Sequence, residues 1–148
     1  MPRIHLLARG VLLKQGQLLL AHLHGAAHTF LPGGHIEAGE PAARALEREL
    51  REELGLKARA GAFLGAVEHR YLRRETRWRH EVNLIFAFEA GIEPGEPLVS
   101  REPRLEFFWR PLDRLAQANL QPDPLQSLLP RRLAGGAGPL WASTLANP

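Results

Sequence analysis

The stretch GHIEAGEPAARALERELREELGL, Gly34 to Leu56, decides the fold. From Glu40 to Leu54 it reads as a helix: Pro41 suits a first-turn position, Leu46, Leu50 and Leu54 recur every four residues, and Gly55 stands where a helix ends. At about 100° per residue, Glu49, Glu52 and Glu53 fall at about 0°, −60° and +40°, and the three leucines at about 60°, 100° and 140°. The leucine stripe can therefore enter a core while three carboxylates project beside it, toward the turn Phe30 to Gly34 rather than away from the protein. Like charges this close repel unless arginines or a cation neutralise them, and hard divalent cations prefer carboxylate and carbonyl oxygen, which makes Mg²⁺ or Mn²⁺ the natural candidate. A Glu-rich helix is also a common solvated face. Gly33 and Gly34 turn the reading toward a site, because glycine lets the backbone approach a bound group closely.

Upstream, the apolar run Ile4 to Leu13 and the run Leu18 to Leu23 read as a strand pair joined by a Gly-containing turn, Lys14 to Gln17. A loop, His24 to Thr29, follows. Downstream, Ala58 to Glu68 and Glu81 to Phe88 read as strands, with an arginine-rich loop or strand extension between them. Gly91 to Arg104 holds three prolines and reads as a loop, Leu105 to Trp109 as a strand, Pro111 to Ala116 as a short helix and Pro124 to Leu133 as a last helix. Residues 1–133 are expected to form one domain of mixed α/β layers, and 134–148, opening with Ala134-Gly-Gly-Ala-Gly-Pro139, a flexible tail.

The 148-residue chain is long enough to bury a core, and 45% apolar and 24% charged residues exclude disorder, collagen-like repeats and coiled coil. With no cysteine a disulfide framework is impossible, and no apolar stretch reaches bilayer-spanning length, so a cytoplasmic protein with no membrane partner is expected. A net charge of +3 is small for a protein that tracks phosphate backbones, which argues against nucleic acid. Charge is concentrated locally instead: His69 to His80 packs five arginines and two histidines into twelve residues, a density that suits anionic oxygen.

The Gly34 to Leu56 stretch resembles the Nudix box, G-x5-E-x7-R-E-U-x-E-E-x-G-U with U aliphatic, and every specified position matches. Seven fixed letters, each used at about 7%, coincide by chance at about 10⁻⁸ per starting position. Leu31-Pro-Gly-Gly34 before the box and Phe108-Trp-Arg-Pro-Leu112 after it also look like the family. The resemblance implies an α/β Nudix fold, a mixed β-sheet sandwiched between α-helices. It also implies Mg²⁺- or Mn²⁺-dependent hydrolysis of a phosphoanhydride bond in a nucleoside diphosphate linked to another moiety. By resemblance Glu49 and Glu53 are the main metal ligands, Glu52 a ligand directly or through water, and the Gly33 carbonyl a further one. Arg48 would hold a carboxylate in place, and Glu40 would either complement the helix N-terminus or order the metal's surroundings.

No motif fixes the general base. Glu81, at the head of its strand, is the first candidate, a box glutamate the second, and Glu93, Glu96 and Glu102 follow. Arg70, Arg73, Arg74, Arg77 and Arg79 are candidates for the diphosphate or a terminal phosphate, with Tyr71 and His80 beside them, and Tyr71, Trp78 and Phe30 are candidates to stack on a base. Tyr71 stands fifteen residues after Leu56, where ADP-ribose hydrolases of the family often have proline, so a nucleotide or dinucleoside polyphosphate is favoured. His22, His24, His28 and His35 match no zinc spacing and are expected at the surface or behind the site. The rivals are a non-cleaving nucleotide sensor on the same fold and a pyrophosphohydrolase of RNA 5′ ends; a monomer and a homodimer are both compatible with the chain.

Overall fold

The computed structural model describes residues 3–74 and 76–145. The opening apolar run divides between two sheets. Ile4–Val11 is β1 and Leu13–Lys14 a separate short strand, β2. Only β2 makes the expected hairpin, with β3 (Gln17–Leu23), through a two-residue turn in which Gln15 and Gly16 both have positive φ. β1 instead lies between β5 (Gly33–His35), antiparallel, and β7 (Arg77–Glu89), parallel. The split follows from burial on both faces, since Ala8 packs into one core and Val11 into another.

The first sheet has the order β5-β1-β7-β6-β9, with β6 being Arg59–Arg73 and β9 Leu140–Ser143. In the second, β3 pairs β8 (Leu105–Pro111) along one edge and β2 and then β4 (Thr29–Phe30) along the other. The arginine-rich stretch is strand extension: β6 and β7 form one long hairpin whose register runs from Arg59↔Glu89 to Arg73↔Arg77. Glu81 therefore sits within β7 and not at its head.

Helix α1 is Ala42–Leu54, two residues shorter than expected, because Pro41 is the extended residue before it and Glu40 makes no capping bond. Gly55 closes the helix at φ 66°, its N–H donating to the Arg51 carbonyl while the Leu56 N–H reaches Leu50. Leu46, Leu50 and Leu54 pack with Ala8, Leu19, Phe88 and Trp109 on one side of the sheets. Helix α2 (Leu125–Leu133) sets Leu125 and Leu129 against Leu18, Leu20, Val67 and Ile85 on the other. Successive β3 residues alternate between the two cores, so the mixed first sheet and the antiparallel second one are sandwiched between α1 and α2, as the resemblance implies.

Two expectations need correction. The short helix after Pro111 is a single 3-10 turn, Leu112–Arg114. Leu140–Ser143 of the expected tail is β9, which docks parallel to β6 with Leu140 buried; the glycines before it suggest a tail, but they only connect α2 to the sheet edge. Residues 146–148 of that tail lie outside the described residues. Among the described residues no helix is long and apolar enough to cross a membrane.

Candidate active site

A cleft of about 940 Å³ opens where β1, β5, the β6–β7 hairpin and the face of α1 meet. Glu49 and Glu53, one helical turn apart, line it together with Gly33 and Gly34. A Cβ on Gly34 would stand 2.6 Å from the Glu49 carboxyl carbon, so this glycine makes room for a carboxylate. Arg48 binds the acidic face together: Nε and Nη2 donate to Glu40 at 2.7 and 3.1 Å, Nη1 to Glu49 at 3.1 Å and to Glu52 at 3.3 Å, and Nη2 also to the His35 carbonyl at 3.0 Å. Glu40 is thus spent on Arg48, which accounts for its making no helix cap. Glu52 does not join the pair; its side chain is 59% exposed and does not line the cleft.

Burial, and after it the adjacent Glu49 carboxylate, pushes the Glu53 carboxyl up to about 8. Arg9 pulls it the other way without cancelling the shift. Two carboxylates side by side, Glu49 bonded to Arg48 and Glu53 strongly disfavoured as an anion despite Arg9, form an oxygen-only donor set, and such a set fits a hard divalent cation. Among the described residues no group of three or more acidic or histidine side chains already converges on one point.

The Gly33 carbonyl, expected beside the metal, accepts a bond from Arg9 Nη1 at 3.1 Å, and the same nitrogen donates to the Leu31 carbonyl at 3.2 Å. Glycine is required at 33 for a different reason from the expected one. At φ 134° a Cβ would lie 2.0 Å from the Ala8 carbonyl oxygen of β1, so pairing of β5 with β1, not the approach of a phosphate, excludes a side chain.

The opposite wall is set by the pleat of the hairpin. His69, Tyr71, Arg73, Arg79, Glu81 and Asn83 line the cleft. Arg70 and His80, expected among the substrate contacts, are absent from that lining: they are cross-strand partners, one position out of step with the lining residues, and so project from the other face. There Arg70 lies 4.2 Å over the Trp78 ring, and His80 Nε2 is 4.0 Å from Glu68. Trp78 does not line the cleft either, whereas Phe30 does, with the Arg9 guanidinium 5.1 Å from its ring. Arg74, at the hairpin turn, lines the cleft and Arg77 does not. Glu81 is 7% exposed and accepts from Arg79 Nε at 2.8 Å and from the Tyr71 hydroxyl at 3.1 Å. Both bonds end on Oε2. Burial and the Glu81 charge raise the Tyr71 phenol to about 12, keeping it a donor. Glu93, Glu96 and Glu102 do not line the cleft.

Compared with known proteins, a model of the NUDIX domain matches residues 4–131. The chain belongs to the Nudix family. Similar solved structures include a MutT protein from Methanosarcina mazei Go1 (TM-score 0.68, 19% identity, covering 91% of this chain and 98% of that one). The E. coli ORF135 protein gives 0.62 and 22%, over 93% and 96%. A MutT NUDIX hydrolase from Burkholderia pseudomallei gives 0.57 and 23%, over 75% and 85%. At these identities the likeness is one of fold. No curated protein matches.

The Nudix helix and its loop carry the acidic half of the cleft, and several residues of the other half escape a reading of motifs. Arg9 interrupts an apolar strand; a charge in such a run is itself a signal, because it must be paired once the strand is buried. Besides the two carbonyls it reaches Asn83 Oδ1 at 3.4 Å. His28 and His35 line the cleft, and His35 Nε2 meets Arg79 Nη2 at 2.9 Å and His5 Nδ1 at 3.1 Å. Burial lowers His28, His35 and His69 below the usual imidazole value, with Arg79 adding to the effect at His35. His22 stands outside the cleft, bonded to Glu106 and to the Ala26 carbonyl, and both bonds raise it.

Proposed function

We propose that this Nudix protein is a Mg²⁺- or Mn²⁺-dependent pyrophosphohydrolase that cleaves a phosphoanhydride bond in a nucleoside diphosphate linked to another moiety. Nucleotides and dinucleoside polyphosphates are favoured over ADP-ribose. The observation that carries this reading is the Glu49–Glu53 pair, in which burial and the neighbouring Glu49 disfavour the Glu53 anion, facing a cleft whose other wall presents Arg73, Arg74 and Arg79. Glu49 and Glu53 would hold the cation, with Glu52 reaching it through water. Bound there, the cation supplies neutralisation of the phosphate charge and acidifies the attacking water. Arg48 keeps Glu49 and Glu52 oriented, and the wall arginines bind phosphate oxygens and fix the scissile bond. Glu81 takes the proton of the attacking water at Oε1, because Oε2 is occupied by Arg79 and Tyr71.

The test is product release from nucleoside triphosphates, nucleotide sugars, ADP-ribose, dinucleoside polyphosphates and coenzyme A, with Mg²⁺, Mn²⁺ or EDTA. Metal-dependent cleavage of one class is the expected result and names the substrate. Nucleotide binding without cleavage across the panel would favour the sensor, and cleavage confined to 5′-triphosphorylated or capped RNA would favour the RNA enzyme.

A further inference from the structure

The C-terminal strand reaches the cleft through one hydroxyl. Thr144 follows β9, and its N–H donates to the Glu68 carbonyl at 3.1 Å. Its Oγ1 accepts the Arg70 N–H at 2.9 Å and lies 2.8 Å from His69 Nδ1. Among the described residues the hydroxyl has two acceptors in reach, the Arg70 carbonyl at 3.5 Å and, in the tautomer protonated on Nε2, His69 Nδ1 at the much shorter 2.8 Å. The shorter contact favours the tautomer protonated on Nε2, and that nitrogen has no protein partner among the described residues. The His69 ring stacks on Tyr71, with centroids 4.9 Å apart and 27° between planes, and the Tyr71 hydroxyl donates to Glu81. His69 and Glu81 are themselves cross-strand partners on the cleft face.

Resting on the hydrolase reading above, we propose that Thr144 is a positioning residue for the reaction: through His69 and Tyr71 it holds the Glu81 carboxylate in place for the attacking water. Without the hydroxyl the His69 ring is free to change tautomer and turn about its side-chain bonds. Tyr71 then loses the flat surface that sets its ring, and its bond to Glu81 loosens. Thr144 touches no substrate, so its removal acts on turnover rather than on ground-state binding.

The experiment uses the full chain, wild type, Thr144→Val and Thr144→Ser. Ring ¹⁵N shifts of His69 are expected to report Nε2–H with unprotonated Nδ1 in the wild type and in T144S, and a mixture of tautomers in T144V. On the substrate found in the panel, T144V is expected to lower kcat by about tenfold with KM changed by less than about twofold, and T144S to recover it. An Nδ1–H tautomer in the wild type overturns the proposal even if T144V fails to fold. So does a T144V protein with wild-type shifts and wild-type kcat, while metal-dependent cleavage by the wild type leaves the hydrolase reading standing. A wild type that cleaves nothing overturns that reading, and the kinetic role of Thr144 with it.

Discussion

Burial and the neighbouring Glu49 make the ionised form of Glu53 costly to hold. Its value of about 8 lies above the ordinary carboxylate range, so the folded state binds this proton more tightly than the unfolded state does. The contribution to stability is complete below about pH 4.5 and is lost as the pH rises to about 8. In EDTA, the wild type should therefore lose Tm relative to Glu53→Gln across that window, and Mg²⁺ should restore it; a glutamine variant that is the less stable one at pH 8 would contradict the assigned burial. The same variant should keep its fold and lower kcat by at least about 10², through loss of charge that faces the reacting phosphate. For Arg73→Ala and Arg74→Ala a rise in KM larger than any fall in kcat is expected, as befits ground-state phosphate contacts, and steady-state kinetics separates the two. That Glu49 and Glu53 share one helix face is legible from spacing, because a helix fixes where side chains point; that this face lines a cleft is signalled only by Gly33 and Gly34 and by the Nudix resemblance. Arg70 and His80 were misassigned because charge density says nothing of parity, and parity depends on whether the stretch is loop or strand. Seven arginine and histidine side chains between His69 and His80 hide the apolar alternation by which a strand is normally read.

At the scale of elements, α1 was read to within two residues because its leucine stripe, its proline and its terminal glycine all agree. β9 escaped because a four-residue strand has almost no pattern of its own, and its partner, residues Gly65–Glu68, lies far away in sequence. What permits the pairing is visible only in three dimensions. At Gly65, with φ 142°, a Cβ would stand 2.2 Å from the Leu140 carbonyl oxygen and 2.4 Å from its nitrogen. Gly65→Ala is expected to displace β9, raising amide exchange at residues 140–144 while α1 keeps its protection. Equal exchange in variant and wild type would mean that β9 tolerates the added methyl. The division of the first apolar run was equally hidden, since both halves are apolar and only the burial of alternate residues in two different cores separates them.

Across the whole molecule, the two cores lie on opposite sides of the sheets, and the site hangs from only one helix. Leu50→Ala and Leu129→Ala each remove a fully buried side chain and should each cost about 2–5 kcal/mol in denaturant unfolding. Leu50 sits beside Glu49 on α1, so its variant should also weaken activation by Mg²⁺, whereas Leu129→Ala at equal stability loss should not; identical metal titrations for the two would show that the Nudix helix does not transmit core strain to its carboxylates. A last consequence concerns mechanics. At its first crossing from the first sheet to the second the backbone uses a single residue, Leu12, between Val11 of β1 and Leu13 of β2, and that residue is buried in the core under α1. A one-residue link clamped in this way makes a poor hinge, so opening and shutting of the two sheets like jaws is not expected at this junction. On the nucleotide reading proposed above, closure over the substrate is expected from the parts that overhang this junction, foremost the β6–β7 hairpin with Arg73 and Arg74.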